Sequence, residues 1–540
     1  MWFRLMRGKV SGRRGIAAAA GVLILFTGCT VGPDYVRPPA ETPPAYKENA
    51  GWKVAQPRDE LPRGKWWEIY NDSLLNALEE QVDISNQNIV AAEANFRQAL
   101  ALIRVAQSAY FPAVTGGPSW SRFRRSANLG SSNRNLAGAS GTGTTQGTIS
   151  TAPGATLSDY LLNFSASWEL DIWGKVRRSV ESSKATAQAN AATIEVVRLS
   201  AQATLAQSYF LLRASDEQKR LLDDMTLAFK KIFDRTMNRY HSGVASRNDV
   251  ALAETQLKTT QAQAVDLGVQ RAQLEHAIAI LMGKPPATFA IAPAPVALKV
   301  PAIPAGVPSE LLERRPDVAA AERNMAAANA QIGVAIAAYY PTITLSATAG
   351  FEAPTAPLWF TWPSRFWSLG AAAAQTIFQG GGLVAQTDAA RAAYDATVAT
   401  YRQTVLTGFQ EVEDNLAALR ILEQEAKVQD EAVKAARLSV TLSTNQYQAG
   451  TISTLDLLLV VTNARNIERT AVTILGNRMS ASALLIKALG GGWKSSDLPA
   501  VAKGSPDSSP SAQASDRQDH REGPVNPTLA GGRVGEPSAR

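Results

Sequence analysis

Two stretches of this chain hold a helical period for so long that no compact domain could bury either one alone. Val398, Tyr401, Val405, Phe409, Val412, Leu416 and Leu419 step by three or four residues, drawing one apolar stripe along a helix. Val197, Ala201, Leu205, Tyr209 and Leu212 do the same earlier in the chain. The stretch from about Val176 to Tyr240 predicts one helix of roughly 100 Å, at 1.5 Å per residue. Its counterpart runs from about Leu383 to Tyr447. Helices of that length far exceed the average, so other long helices must pack along them, and abundant alanine favours close approach. A solitary coiled coil would carry the same stripe, but it leaves the strands described below without a place.

The two stretches belong to two copies of one unit. Ala109-Tyr110-Phe111-Pro112 recurs as Ala338-Tyr339-Tyr340-Pro341, and YHSGVAS at 240–246 recurs as YQAGTIS at 447–453. An Asp follows each second block at equal spacing, Asp249 and Asp456. Each copy reads in the same order: an Ala-rich helix, the Tyr-aromatic-Pro mark, a strand-like region, a very long helix, a Tyr-x-x-Gly turn and another helix.

Strands are read from alternation. Tyr160, Leu162, Phe164, Ala166, Trp168, Leu170 and Ile172 alternate with Asn163, Ser165, Ser167, Glu169 and Asp171. Ile343, Leu345, Ala347, Ala349 and Phe351 alternate with Thr342, Thr344, Ser346 and Thr348. Each pattern predicts a strand with one greasy and one wet face. Partner segments at about Ala113–Arg125 and Arg365–Phe378 alternate less well. Loops rich in Gly, Ser, Thr and Asn (about Ser126–Thr156) or in Pro (Pro354, Pro357, Pro363) join the pairs. Four strands cannot close a barrel, and an open edge in lipid leaves backbone groups unsatisfied, so several chains must each contribute. The alternative is a small soluble sheet packed on helices.

The N-terminus tells where the chain goes. Arg4, Arg7, Lys9, Arg13 and Arg14 precede an apolar run from about Ile16 to Phe26, too short to span a bilayer. It ends at Gly28-Cys29, so cleavage there would expose the chain's one cysteine for lipid attachment, palmitate among the acyl chains. Phe26 stands where such signals usually carry Leu or a smaller aliphatic residue. These five charges account for most of the formal net charge of +7, leaving 7 − 5 = +2 after removal, so the basic pI is poor support for a nucleic-acid partner. No mature segment has about 18 consecutive apolar residues. The expected division is a signal at 1–28, an anchored segment at 29–72, a first copy at 73–283, a Pro-rich linker at 284–308, a second copy at 309–493 and a polar tail at 494–540 expected to be disordered.

Several blocks together carry a family resemblance: GCTVGPDYVRPP at 28–39, WWEIYNDSLLNAL at 66–78, WELDIWGKVRR at 168–178, LLERRPDVAAAERNMAAANAQIGVAIAAYYP at 311–341 and YQAGTISTLDLL at 447–458. In these the chain resembles the outer-membrane factors of tripartite efflux systems, in the lipoprotein, NodT-type branch related to TolC. The resemblance covers about Cys29 to Trp493. It implies a mainly α fold with a transmembrane β part: a homotrimer whose protomers each give four strands to a 12-stranded barrel, continued by a periplasmic α-helical tunnel. The implied partners are a periplasmic adaptor, a proton-driven inner-membrane transporter of the RND type and outer-membrane lipid; the implied cargo is drugs or small solutes. Thr30 after Cys29 agrees with outer-membrane sorting, since Asp there is the usual retention signal.

The tips of the helices are where the resemblance implies function. Tyr240, Gly243 and Ser246 in one copy, and Tyr447, Gly450 and Ser453 in the other, predict two hairpin ends with Gly as a left-handed cap, and the resemblance places the adaptor there. Ser246-x-x-Asp249 and Ser453-x-x-Asp456 both read as capping boxes. For Asp456 the resemblance adds a second reading, an acid lining the periplasmic constriction, with Leu459 three residues on replacing a second acid. Both readings stand for Asp456 at this point.

Catalytic chemistry has no foothold. His241, His276 and His520 form no metal spacing with Cys or carboxylates, and neither a P-loop nor Gly-x-Ser-x-Gly occurs. Gly380-Gly381-Gly382 lacks the Lys-Ser/Thr ending and reads as a strand-to-helix turn, while Glu169 and Asp171 need no acid–base role on a wet barrel face. No enzyme, cofactor or metal is expected. Two other functions remain on the sequence alone: a duct for type I protein secretion, and a pore-less lipid-anchored scaffold.

Overall fold

The computed structural model describes residues 30–48 without 41, 65–124 with 126, 156–294, 299–303 without 302, and 311–493. The expected signal with Cys29, the latter part of the Pro-rich linker (295–298, 302 and 304–308) and the tail from 494 lie outside these residues.

From their second helix onward the two copies are matched element by element; the first helix has only a four-residue helix, Leu311–Arg314, at its place in the second copy. The first has α1 (Ser73–Ser85), α2 (Gln87–Ser108), β1 (Ala113–Arg124), β2 (Thr156–Leu170), α3 (Lys175–His241) and α4 (Arg247–Leu281). The second has α5 (Pro316–Ala337), β3 (Thr342–Ala353), β4 (Arg365–Ala374), α6 (Gly382–Gln448) and α7 (Thr454–Ala488). Helices α3 and α6 are both 67 residues long, α4 and α7 both 35, and α2 and α5 both 22. Both long helices start within a residue or two of where the period places them. Among the described residues no helix is long and apolar enough to cross a membrane.

In each copy a shorter helix stacks on the end of another, making a second long rod beside the first. The end of α4 meets the start of α2: Asn86 donates from Nδ2 to the Leu281 carbonyl at 2.8 Å and accepts from the amides of Asn88 and Ile89. The end of α7 meets the start of α5, where Arg315 donates to the Ala488 carbonyl at 2.9 Å and pairs with Asp317 and Glu411. Each joint satisfies orphan groups at two helix ends at once. Gly283 and Gly490 follow the joints with φ of +64° and +92°. A Cβ there would lie 2.3 Å from the Ser85 carbonyl oxygen or 2.0 Å from that of Arg314, so only glycine fits.

The largest core sits midway along α3. Trp66, Trp67 and Tyr70 wedge against Leu205, Tyr209, Phe210 and Leu212, with Val405 and Phe409 of α6 and Met479 of α7 in the same cluster. Two polar ends of the wedge are held, Trp66 Nε1 donating to Gln202 and Tyr70 sharing a 2.7 Å bond with Ser482, and Tyr209 beside them donates to Asp72 at 2.6 Å; the buried Trp67 Nε1 has no partner among the described residues. A large aromatic removes about 200 Å² from water, about 5 kcal/mol at 25 cal/mol per Å². The WWEIYND block is therefore a girdle that fixes the helices around their middle.

One antiparallel sheet in the order β1-β2-β3-β4 unites the copies, because β2 pairs with β3. Its two edges, β1 and β4, have no partner within the described residues. Two sequence expectations shift. Strand β4 stops at Ala374 rather than reaching Phe378, and β2 stops at Leu170. Asp171 is thus not on the wet strand face. Its carboxylate accepts the amides of Val176 and Arg177, capping the start of α3, where the positive end of the helix favours an anion.

Candidate conduit, anchor and periplasmic tip

Register assigns the sheet its two faces, since residues directly opposite in an antiparallel pair lie on the same side. Trp120 faces Tyr160, Gly116 faces Phe164, Phe164 faces Ala349, and Ala349 faces Trp367. The same side carries Val114, Leu162, Trp168, Ile343, Leu345, Phe351 and Leu369. Trp367 and Leu369 are each 75% exposed, which water would disfavour and lipid would not. The opposite side carries Thr115, Ser119, Asn163, Ser165, Ser167, Glu169, Thr344, Ser346 and Thr348, with Phe123, Leu157, Leu161 and Phe366 nearer the loop end. Aromatic clusters bracket the greasy face. Trp120, Tyr160 and Trp359 gather at the loop end, and Trp173 stacks on Tyr340 at 4.7 Å at the helix end. The ten steps from Tyr160 to Leu170 cover roughly 33 Å, or about 25 Å when tilted by 40°, the height of an apolar barrel band.

The described N-terminal residues form a strap from this junction to the girdle. Thr30 lies against Gly174, and the Val31 amide donates to the Trp173 carbonyl at 3.1 Å. Buried Arg178 then binds Asp34 and the carbonyls of Val31 and Gly32. Arg37 donates to the Tyr401 hydroxyl, Glu413 accepts the amides of Lys47 and Glu48, and Arg420 pairs with Glu48. The GPDYVRPP and WGKVRR blocks are thus two sides of one brace. Sequence reasoning used them as marks and missed the brace, whose signal was an arginine beside the aromatic-Gly turn.

At the far end the two hairpins share the same turn bonds. The Gly243 amide donates to the Tyr240 carbonyl and the Val244 amide to that of Arg239; Gly450 to Tyr447 and Thr451 to Gln446 match them. Gly243 and Gly450 have φ of +73° and +77°, the expected left-handed caps. Ser246 and Asp249 form a reciprocal capping box, as do Ser453 and Asp456. The Asp456 carboxylate accepts from the Ser453 hydroxyl at 2.7 Å and its amide at 3.1 Å. Those bonds lower its pKa from the ordinary Asp value, and the backbone and side-chain bonds of Ser246 do the same for Asp249.

What differs is the surroundings. Tyr447 is 9% exposed, inside a tip core of Leu222, Met225 and Phe229 of α3, Leu257 of α4 and Leu457, Leu458 and Val461 of α7. Tyr240 is 40% exposed. Asp456 and the 61%-exposed Leu459 share the face of α7 turned away from that core. The expected site residues thus fall into two tips at the end of one bundle, and Cys29 lies outside the described residues. Among the described residues no group of three His, Cys, Asp or Glu side chains could hold a metal.

Comparison with known proteins gives consistent matches. The model of the outer membrane efflux protein family matches residues 78–284 and 307–491. The chain is 29% identical over 485 residues to the probable efflux pump outer membrane protein TtgC of Pseudomonas putida, covering 89% of this chain and 96% of that one. It is 32% identical over 436 residues to the pyoverdine export outer membrane protein OpmQ of Pseudomonas aeruginosa, covering 80% and 88%. Among solved structures it is similar to the outer-membrane channel OprN, with TM-score 0.76, 28% identity and coverage of 86% and 100%. It is also similar to the open state of the Neisseria gonorrhoeae MtrE channel, with TM-score 0.72, 26% identity and coverage of 86% and 99%.

Proposed function

The chain belongs to the outer membrane efflux protein family, and from that premise we propose how its parts divide the work of moving a solute out of the cell. It is the outer-membrane channel of a tripartite efflux system, a trimeric conduit and not an enzyme. It reaches from the outer membrane into the periplasm and works with an adaptor and an inner-membrane transporter. The observation that carries the mechanism is the two-faced sheet with open edges, continuous with the 67-residue helices α3 and α6. Closing three such sheets pairs each β1 with the next β4, which satisfies every edge and encloses the polar face.

Three finer assignments rest on this frame. Cys29 carries the lipid anchor; Thr30 beside the Trp173–Tyr340 stack supports this, because a chain attached one residue earlier would enter the inner leaflet. The tips at Tyr240, Gly243 and Ser246, and at Tyr447, Gly450 and Ser453, meet the adaptor. Three copies each of Asp456 and Leu459 make the periplasmic constriction, an acidic and an apolar ring that attract cations and narrow the path. The cargo is small organic solutes handed over by a proton-driven RND-type transporter, which selects them. No nucleic acid takes part, and no observation favours protein export or a pore-less scaffold.

Reconstitution tests this directly. The purified trimer should conduct in a planar bilayer and restore drug resistance to a strain lacking its own channel. A trimer that does neither, or a monomer that conducts, overturns the mechanism.

A further inference from the structure

The lipid-facing side of the sheet changes character beyond its loop-end aromatics. On β1 the residues that follow Trp120 on the same face are Arg122 and Arg124, opposite Ser158 and Thr156. They lie roughly 7 and 13 Å further along the strand. On β4 the first residue, Arg365, lies opposite Phe351 on that face, two residues before Trp367. All three arginines are exposed, and none makes an ion pair among the described residues. The Arg365 side chain lies over the Trp362 ring and donates from Nε to the Trp362 carbonyl, so its outer guanidinium nitrogens stay open. The opposite face at the same height carries Asp159 and Glu352. Charge is therefore sorted by side: cations outward, anions toward the lumen.

Barrel closure brings the arginines together. They sit on the two open edges, Arg122 and Arg124 at the outer end of β1, Arg365 at the outer end of β4. Within one sheet Arg365 shares a rung with Phe351, Leu162 and Pro118, so a strand tilt that staggers β4 against the next β1 by four to six residues, as closure of a tilted barrel requires a stagger, sets these three side chains side by side at each of three seams. We propose that each seam binds the phosphorylated glycolipid of the outer leaflet, Arg122 and Arg124 of one protomer and Arg365 of the next holding its phosphates while Trp120 and Trp367 pack on its acyl chains. Guanidinium groups suit phosphate because their planar forks donate in pairs, and flanking aromatics suit the junction between headgroup and chain. The partner follows from charge complementarity and height: a phosphate-bearing lipid is the anion a membrane presents at that level. This rests on the barrel reading above, and conductance separates the two.

The test uses the full trimer, exchanged into detergent with bisphosphorylated, monophosphorylated or dephosphorylated lipid A and weighed by native mass spectrometry. Wild type should hold up to three bisphosphorylated molecules, with affinity falling at each loss of phosphate. Arg122→Gln/Arg124→Gln/Arg365→Gln should bind about tenfold or more weakly with unchanged conductance, while the corresponding Lys triple variant should keep most of the binding. Equal retention of dephosphorylated lipid A by wild type overturns the proposal, whether or not the Gln variant assembles. So does wild-type binding by an assembled Gln variant, or equal competition by phosphatidylglycerol.

Discussion

Asn86 is at once the cap of the helix it opens and the acceptor's partner at the helix it meets: its Nδ2 donates to the Leu281 carbonyl at 2.8 Å across 195 residues of sequence. Two separate helices thereby behave as one rod. Asn86→Ala should remove the cap bonds from Asn88 and Ile89 together with the bond to Leu281, and destabilise the protein by about 1–2 kcal/mol. Arg315→Ala at the equivalent joint should cost about 2–3 kcal/mol, because the lost bonds involve charged partners. Thermal unfolding of the detergent-solubilised trimer measures both; equal, negligible losses would show that the joints hold by packing alone.

The four turn glycines should separate into two classes. Gly243→Val and Gly450→Val meet open space, so the cost is backbone strain of about 1–2 kcal/mol confined to the tips. The trimer should assemble and conduct, yet fail to confer resistance. Gly283→Ala and Gly490→Ala run into backbone carbonyls and should lower the yield of trimer itself. Resistance assays beside trimer yields distinguish the classes, and full resistance in both tip variants would remove the tips from adaptor contact.

Because Asp249 and Asp456 cap their helices identically, stability cannot tell a gate from a cap. Asp249→Ala and Asp456→Ala should lower the melting temperature alike. Only Asp456→Ala should raise basal conductance or relieve block by cations. The Ser453 bonds keep its folded pKa below the ordinary Asp value, so the cap's contribution is present above that value and lost as pH falls through the lowered one. Cation block should accordingly persist throughout neutral and mildly acidic pH in single-channel recordings. Identical currents from both variants would place the constriction elsewhere.

Glu79 is wholly buried and neither carboxyl oxygen has a partner, so burial, with the nearby Asp83 charge, pushes its pKa well above the ordinary Glu value. With the folded pKa raised, the site is best tolerated below the unfolded pKa and destabilises increasingly as pH rises toward the folded one. Glu79→Gln should therefore leave stability at pH 4 nearly unchanged and raise it at pH 8. The gap should grow by up to about 1.4 kcal/mol per pH unit across that window. A pH-independent effect in denaturation series would show that the carboxyl is already compensated.

Trp66→Ala should cost about 3–5 kcal/mol, since it empties the girdle that holds the helices at mid-length. Loss of trimer in detergent, with secretion of the chain intact, is the expected result; a normal melting curve would mean that the strap and the joints suffice without the wedge.

Sequence and structure agree where a signal recurs over many residues. The long helices were legible because their apolar stripe persists through many turns, and β2 and β3 because Leu162, Phe164 and Trp168, or Ile343 and Leu345, alternate with hydroxyls. Strands β1 and β4 were blurred because their lipid-facing positions hold Gly116, Pro118, Ala371 and Ala373, which carry little hydropathy signal. Only pairing with larger neighbours reveals their side. The joints were invisible for another reason: Asn86 reads as an ordinary cap, and nothing local says that Leu281 will arrive beside it. Tyr240 and Tyr447 occupy the same place in the repeat, and tertiary neighbours alone bury one and expose the other.

Equal helix lengths in the two copies turn the tunnel into an inherited ruler. One residue inserted in α3 would advance everything beyond it by about 1.5 Å and swing it by about 100°, turning the stripe that meets α4 and α7 toward the wrong neighbours. Survival would need the same insertion in α6, and in α4 and α7 to keep the hairpins level. The connections from β1 to β2 and from β3 to β4, residues 125–155 and 354–364, carry no such obligation and already differ in length between the copies. Descendants of this chain should drift in size at the cell surface while holding their span across the periplasm, so a cell with a deeper periplasm must lengthen the adaptor rather than the channel.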